Sequence, residues 1–297
     1  MMDVMEEAPS SPDIKTRFII LSDTHGTGFG PESKPSQRAD VAIHCGDLTL
    51  ESKMAEYRST IQLLKDINAP LKLVIAGNHD FTLDIPIFKQ KINEARPPLD
   101  PVLIRREYGN FGESRQLLEE AKESGIVFLD EGAHHFLLDN GASLTVYASA
   151  YTPSLGDWGF QYHPDEGHDF SIGNADVVIT HGPPRGIMDN TNSGQRAGCS
   201  SLFAAIARSR PRLHCFGHIH EAWGAKLVSW RSTVSENPLH FTDIDHGKSV
   251  LVANLSALDE MEEDSARETC YVTSHCAGDA NPIEKGARTL FVNAAVQ

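Results

Sequence analysis

The chain has 297 residues, of which 40% are hydrophobic, enough to form one large domain. Its formal net charge of −15 argues against a general nucleic-acid or anionic-membrane surface, although a local positive pocket remains compatible with it. No apolar stretch approaches the roughly 20 residues of a membrane span, and the scattered cysteines contain no C-x-x-C pair, so we expect a reduced, cytoplasmic protein.

Short apolar runs with the β-branched content of buried strands recur along the chain. They occupy residues 17–21, 41–44, 71–76, 177–180 and 213–216. Apolar residues at helical spacing predict helices at 51–67, 113–124 and 199–209. Asp139-Asn140-Gly141 between two strand-like runs predicts a β-hairpin. Strands alternating with helices, together with a hairpin, predict a mixed α/β architecture.

The two ends of the chain and one late segment lie outside this pattern. Residues 1–16 are acidic and polar, lack the apolar core of a secretion signal, and are expected to form a flexible tail. Residues 17–297 then form a single domain. An acidic stretch with little periodicity predicts a long surface insertion around residues 231–268, and residues 289–296 read as a terminal strand.

Each of the five predicted strands ends in aspartate, histidine or asparagine. The residues concerned are Asp23, His25, Asp47, Asn78, His79, His181, His218 and His220. Loops beyond the carboxyl ends of strands in open α/β sheets converge on one crevice, so we expect one polar cluster. Mixed oxygen and nitrogen ligands suit Mn, Fe, Zn or Ni better than Ca. Two divalent ions beside two carboxylates would leave the site cationic, which favours an anionic substrate such as a phosphate ester.

The order D-x-H, GD, GNH[DE], H, GHxH resembles the calcineurin-like metallophosphoesterase superfamily, on motifs spread over residues 17–220. The stretches YASAYTP, GDWGFQY, THGPP and GHIHE are further similar to the branch of metallophosphoesterase-domain-containing proteins known from animal brain and from fungi. The resemblance implies an α/β fold, a four-layer α/β/β/α sandwich of two mixed sheets flanked by helices. It also implies two divalent metal ions, for which we place manganese ahead of iron, zinc and nickel.

Carried over position by position, the resemblance implies one ion on Asp23, His25 and His220, a second on Asn78, His181 and His218, and Asp47 bridging them. His79 is similar to the histidine that the family uses to protonate the leaving oxygen or to stabilise the transition state. Asn78 and His79 are also expected to contact substrate, as is Arg185, which follows His181-Gly-Pro-Pro.

Three further residues have two readings each. Asp80 either orients a neighbouring histidine or caps the following turn. His163 and His168 either border the site or belong to an ordinary surface loop.

The expected function is a dinuclear metal-dependent phosphoesterase. We place first a phosphodiesterase that hydrolyses small phosphodiesters such as cyclic nucleotides by in-line attack of a metal-bridging hydroxide. A phosphomonoesterase, or a nucleotide-binding protein with a vestigial metal site, is the alternative. His218 favours an active enzyme, since some members of the closest branch have glycine at that position and are poor catalysts. The expected partner is a small anionic phosphate ester rather than nucleic acid or membrane, and the oligomeric state stays open.

Overall fold

The structure is a computed structural model that describes residues 13–30, 34–254 and 270–295. Most of the predicted tail at residues 1–16 lies outside the described residues, as does the acidic end of the predicted insertion at residues 231–268. The boundaries of the single domain therefore stay a prediction.

The smaller sheet contains four parallel strands in chain order. They are β1 (Phe18–Leu21), β2 (Val41–His44), β3 (Leu71–Val74) and β4 (Ile126–Phe128). The helices between them are α1 (Met54–Asp66), α2 (Ile85–Glu94), α3 (Pro101–Tyr108) and α4 (Glu113–Glu120), and a 3-10 turn (Ala121–Ser124) follows α4. The predicted helices at 51–67 and 113–124 are confirmed, whereas α2 and α3 are absent from the predicted elements.

Helix α1 shows why its segment is helical. The Glu56 carboxylate accepts a hydrogen bond of 2.9 Å from the backbone N–H of Lys53, which satisfies one donor where the helix begins. Tyr57, Ile61 and Leu64 follow at spacings of three and four residues and are buried against the smaller sheet.

The larger sheet has seven strands in the order β12-β11-β13-β10-β9-β6-β5. The remaining strands are β5 (Gly132–Leu137), β6 (Ser143–Ser149), β7 (Thr152–Pro153), β8 (Gln161–Tyr162), β9 (Val177–Thr180), β10 (Leu213–Phe216), β11 (Gly224–Ser229), β12 (Val250–Asn254) and β13 (Arg288–Asn293). Strands β7 and β8 form a separate two-stranded ribbon. Strands β5 and β6 pair antiparallel, which confirms the predicted hairpin.

The larger sheet agrees with the prediction of a mixed sheet, whereas the smaller sheet and strand β12 differ from the predictions. Strands β6, β9, β10 and β13 pair parallel to one another, whereas the pairs β5–β6, β11–β13 and β11–β12 are antiparallel, so the larger sheet is mixed, as predicted. The smaller sheet is parallel throughout its described strands, and the expectation of two mixed sheets therefore holds for only one. The predicted surface insertion at residues 231–268 contains strand β12, which is part of the larger sheet. Its backbone pairs with β11, although its sequence does not alternate between apolar and polar residues.

The two sheets pack face to face, and helices cover their outer faces. The core between the sheets includes Val41, Ile43, Leu73, Ile75, Val146, Ala148, Ile179, Leu213 and Leu290. Helices α1 and α4 pack on the outer face of the smaller sheet. Helix α5 (Ser200–Ser209) packs on the outer face of the larger one, and a sixth helix, α6 (His240–Asp243), follows β11. These layers confirm the predicted four-layer α/β/β/α sandwich.

The described helices are all too short or too polar to cross a membrane. The loops that follow β1, β2 and β3 meet those that follow β9 and β10, so the carboxyl ends of strands from both sheets lie together. This junction holds the polar residues that the sequence singles out.

Candidate metal centre

The polar strand ends gather into two groups that could each hold a metal ion. Asp23, His25 and His220 form the first group, and Asp47, His181 and His218 form the second. Within each group, one ligand atom per residue lies within 4.8 Å of the others. Each group takes residues from both sheets, since the aspartates follow β1 and β2 whereas His181, His218 and His220 follow β9 and β10.

Backbone carbonyls determine which ring nitrogen of two histidines faces the centre. The His25 Nδ1 atom lies 3.2 Å from the carbonyl oxygen of Thr49, and the His181 Nδ1 atom lies 3.0 Å from that of Cys45. A carbonyl oxygen can only accept, so Nδ1 carries the proton in both rings. The Nε2 atoms are therefore the ones directed at the ligand groups, as in metal-binding histidines.

The surroundings of His181 fit a cation. Its Nε2 atom lies 2.9 Å from Asn78 Oδ1 and 3.3 Å from Asp47 Oδ1. With the proton on Nδ1, a neutral His181 would direct three lone pairs at one another. A proton on Nε2 relieves that repulsion, and a divalent ion bound by the three atoms would relieve it further. The residues present therefore suit the metal that their chemistry implies.

The charges of the two groups depend on one another. Burial opposes ionisation of both aspartates, yet the hydrogen bond of His220 to Asp23 and the charge of His181 beside Asp47 lower both carboxyl pKa values. Burial lowers the pKa of His181, but the Asp47 carboxylate outweighs it and raises that pKa to about 9. Burial and the charge of His181 lower the pKa of His218 to about 4, which keeps His218 neutral and able to bind metal.

Four of the grouped residues have a left-handed backbone. The φ angles are 56° at Asp23, 49° at His25, 52° at Asp47 and 69° at His218. Such a conformation costs a non-glycine residue about 1–3 kcal/mol and collects at functional sites. Aspartate and histidine tolerate it better than most residues do. The strain is concentrated where the sequence predicts the ligands.

Two glycines let the strand ends approach closely. A Cβ atom on Gly77 would overlap the Oδ1 and backbone N atoms of Asp47, and one on Gly217 would overlap Asp23 Oδ2 and Ser22 Oγ. The lack of a side chain at the positions before Asn78 and His218 therefore leaves the space that the two aspartates occupy.

The half-buried His79 ring lies at the edge of the first group. Its backbone N–H donates to Asp47 Oδ1 over 2.9 Å, and its Nδ1 atom lies 2.6 Å from the carbonyl oxygen of Leu50. The ring centroid is 5.0 Å from that of His25 and 4.3 Å from that of Trp158. Nδ1 again carries the proton, and Nε2 has no hydrogen-bond partner among the described residues.

The model of the family described as calcineurin-like phosphoesterase matches residues 16–222, which include every candidate ligand. The chain belongs to the calcineurin-like phosphoesterase family. Members of this family are metal-dependent phosphoester hydrolases that typically bind two ions, and the two ligand groups agree with such a centre.

The chain is similar to a human and a nematode protein over about three quarters of its own length. Metallophosphoesterase domain-containing protein 1 of Homo sapiens is 32% identical over 230 residues, covering 74% of this chain and 65% of that protein. UPF0046 protein T07D4.2 of Caenorhabditis elegans is 30% identical over 226 residues, covering 73% of this chain and 54% of that protein. The similarity thus spans less than two thirds of either relative.

Within this family centre, Asp80 joins the loops after β2 and β3. Its fully buried carboxylate accepts hydrogen bonds from the backbone N–H groups of Leu48, Thr49 and Gly77 and from the Thr49 hydroxyl, at 2.6 to 3.0 Å. Burial and the charge of Asp47 raise the pKa of Asp80 to about 7. Asp80 therefore neither orients a histidine nor caps a turn, the two readings of the sequence. It fixes the loops that carry Asp47 and Asn78.

Replacing Asp80 by asparagine should weaken both the fold and the metal centre. The amide nitrogen cannot accept, so at least one buried donor loses its partner, at a cost of about 1–3 kcal/mol in the free energy of unfolding. We expect metal affinity to fall about 10- to 100-fold because the ligand loops shift. Urea denaturation and metal titration measure the two effects.

Asp84→Asn is the matched control, since Asp84 accepts from two backbone N–H groups, those of Ile87 and Phe160, away from the ligand atoms. It should lower stability and leave metal affinity unchanged. Wild-type metal affinity in Asp80→Asn would contradict the role given to Asp80.

The other candidate residues form no hydrogen bond, ion pair or ring contact with either ligand group among the described residues. Arg185 is exposed, and its guanidinium has no hydrogen bond or ion pair within the described part of the chain. His163 is exposed on a loop. His168 lies 2.7 Å from Glu131 Oε1 through Nε2 and stacks on Tyr151 at 4.7 Å, so its contacts hold the loop together. A substrate contact by Arg185 stays a prediction.

Two residues near the centre are missed by the sequence reasoning. His44 lies directly beneath the cluster, with Nε2 2.9 Å from the hydroxyl of Thr24, and burial lowers its pKa to about 4. Trp158, which contacts His79, sits in the loop between β7 and β8. For His44, the signal was its position three residues before Asp47. For Trp158, the signal was its place in the stretch GDWGFQY, which does not indicate a contact with His79.

Proposed function

We propose that the protein is a dinuclear metal-dependent phosphodiesterase that hydrolyses small phosphodiesters such as cyclic nucleotides. The observation that carries the proposal is the pair of adjoining ligand groups with the His79 ring beside them. Asp23, His25 and His220 would hold one ion, Asn78, His181 and His218 the other, and Asp47 would bridge. Manganese is the metal we would supply first, with iron, zinc or nickel as substitutes.

The chemistry divides between the ions and the chain. When bound, two divalent ions supply neutralisation of phosphoryl charge and activation of water for in-line attack. The buried aspartates and the ring nitrogens of the histidines would hold these ions at the junction of the two sheets. His79 would supply the proton for the leaving oxygen from Nε2 when both ring nitrogens carry a proton, because the Leu50 carbonyl oxygen holds Nδ1–H and Nε2 has no hydrogen-bond partner among the described residues.

The electrostatics of the site favour a diester over a monoester. Among the described residues, the two buried aspartates, Asp23 and Asp47, form their ion pairs with histidines and not with lysine or arginine. A phosphate monoester carries nearly two negative charges near neutral pH, whereas a diester carries one, so a diester needs fewer protein cations. Arg185 would contact phosphate only from its exposed position and is the weakest part of the proposed substrate site.

Hydrolysis of bis-p-nitrophenyl phosphate and of p-nitrophenyl phosphate, with manganese and with chelator, tests the proposal. Metal-dependent cleavage that favours the diester is expected. Preference for the monoester would assign the protein to the phosphomonoesterases. Absence of turnover of either ester in the metal-loaded protein, with nucleotide binding intact, would instead support a nucleotide-binding protein with a vestigial metal site.

Replacing His79 by alanine should abolish most turnover while leaving both ions bound. General-acid catalysis contributes about 100- to 10,000-fold, and the loss should be larger for a phenyl than for a p-nitrophenyl diester, because the poorer leaving group needs the proton more. Metal content per chain and kcat on both esters are the measurements. His163→Ala, which removes an exposed histidine, is the control. An unchanged rate on the phenyl diester would exclude His79 as the proton donor.

A further inference from the structure

The His79 ring is restrained by three kinds of contact. The hydrogen bond of 2.6 Å between Nδ1 and the Leu50 carbonyl oxygen fixes rotation about the Cβ–Cγ bond. The hydrogen bond to Asp47 fixes the backbone. A swing of the whole ring about the Cα–Cβ bond would displace Nε2, and the single hydrogen bond to Leu50 is the only one of these two contacts that opposes it.

The indole of Trp158 limits that remaining rotation. The two ring centroids lie 4.3 Å apart with an interplanar angle of 35°, so the indole covers a face of the imidazole. His25, the other neighbouring ring, meets His79 at 77° and contacts it through an edge. Among the described residues, Trp158 is therefore the aromatic ring that lies nearest to His79 and most nearly parallel to it.

The backbone around Trp158 is attached to the same loop that carries His79. The N–H of Gly159 donates to the carbonyl oxygen of Asn78 over 3.0 Å, and the N–H of Phe160 donates to Asp84 Oδ2 over 2.9 Å. A Cβ atom on Gly159 would come within 2.8 Å of the Cα atom of Phe81, so the two loops touch backbone to backbone.

Side chains also hold the indole in place. Lys91 Nζ lies 5.1 Å from the centroid of the Trp158 ring and 5.3 Å from that of Phe81. The same ammonium forms an ion pair of 3.2 Å with Asp157. The cation contacts both aromatic rings and the residue before Trp158, which gives the indole a defined position.

We propose that Trp158 is a positioning residue that holds the His79 imidazole with Nε2 directed at the leaving oxygen. The inference rests on the proposed function, because it takes His79 as the proton donor. Trp158 acts through His79 and does not itself need to touch the phosphoryl group.

The test compares Trp158→Ala, Trp158→Phe, His79→Ala and the double variant Trp158→Ala/His79→Ala, all as manganese-loaded protein. The substrates are methyl phenyl phosphate and methyl p-nitrophenyl phosphate, which differ only in the leaving group. Trp158→Ala should lower kcat on the phenyl ester about 10- to 100-fold, with KM nearly unchanged and a smaller loss on the p-nitrophenyl ester. Trp158→Phe should recover most of the rate, since a phenyl ring also packs on imidazole.

The double variant distinguishes positioning from general damage. If Trp158 acts through His79, its removal should add no further loss to His79→Ala. Tyr151→Ala is the matched control, because Tyr151 is a half-buried aromatic of a neighbouring loop whose ring contacts are with Phe160 and His168. Any loss in this control should be equal for the two leaving groups.

The outcomes separate the inference from the proposed function. Equal losses of Trp158→Ala on both esters, or losses that multiply with those of His79→Ala, would overturn the positioning role while leaving the phosphodiesterase intact. If Trp158→Ala fails to fold, the leaving-group dependence of Trp158→Phe and Trp158→Leu decides: Leu should show the selective loss and Phe should not. No metal-dependent turnover by the wild-type protein would instead refute the proposed function itself.

Discussion

Replacing Asp47 by alanine should reduce metal binding from about two ions per chain to one or none and lower turnover at least about a thousandfold, as the loss of a bound cation removes charge stabilisation from the transition state. Asp47 is buried, its Oδ1 atom lies 3.3 Å from His181 Nε2, and the same atom accepts the backbone N–H of His79. One substitution therefore disturbs the second ligand group and the proton donor together. Elemental analysis after gel filtration and kcat on a phosphodiester measure the two losses.

The matched control is Asp66→Ala, which removes an exposed carboxylate at the end of α1. It should retain wild-type metal content and rate. An Asp47→Ala protein with two ions per chain and more than about half of the wild-type rate would contradict both the ligand role and the bridging position proposed for Asp47, because a lost ligand of this kind costs orders of magnitude.

Adding a single methyl group at Gly77 should damage the centre almost as severely, without changing any ligand. The Cβ atom of alanine would overlap Asp47 Oδ1 and the Asp47 backbone N, and would lie 2.7 Å from His181 Cε1. The backbone of Gly77 or of Asp47 must therefore move, at a cost of about 1–3 kcal/mol in the free energy of unfolding. Because a displacement of about 1 Å can cost about 100-fold, we expect at least that loss in turnover. Calorimetric metal titration, urea denaturation and kcat check the three effects.

Gly28→Ala supplies the comparison, since a Cβ atom at Gly28 meets no atom within 4 Å. The same change of side chain in open space should leave metal affinity and stability within about 0.5 kcal/mol of wild type. Wild-type metal affinity in Gly77→Ala would show that the loops after β2 and β3 adjust freely, and would remove the argument that close approach shapes the centre.

The position of the candidate site could be predicted because it depends on strand ends. Asp23, Asp47 and His181 each follow a short apolar run, and the convergence of such ends is a general property of α/β sheets. The four-layer fold was predictable from the resemblance and agrees with the observed packing. The parallel character of the smaller sheet was less accessible, because an apolar run buried on both faces carries no sign of the direction of its neighbour.

Residues whose role depends on long-range loop contacts could not be found in this way. Trp158 reaches His79 only because the loop between β7 and β8 packs on the loop after β3, and no periodic pattern records that contact. Asp80 carried two readings, and both were wrong, because its partners lie on a loop about 30 residues earlier in the chain. Helix α3 was missed because none of its residues is buried, so it has no apolar face for the sequence to display.

The division of each ligand group between the two sheets has a consequence for how variants are interpreted. The spacing of the sheets is set by buried core residues such as Ile43 and Leu213, whose apolar side chains cannot bind a metal ion. A cavity there would alter the angle between the sheets and with it the distance from Asp23 to His220. Inactive variants will therefore arise throughout the sandwich core, and loss of activity by itself does not identify a residue that takes part in the chemistry. Metal content measured alongside the rate makes that distinction.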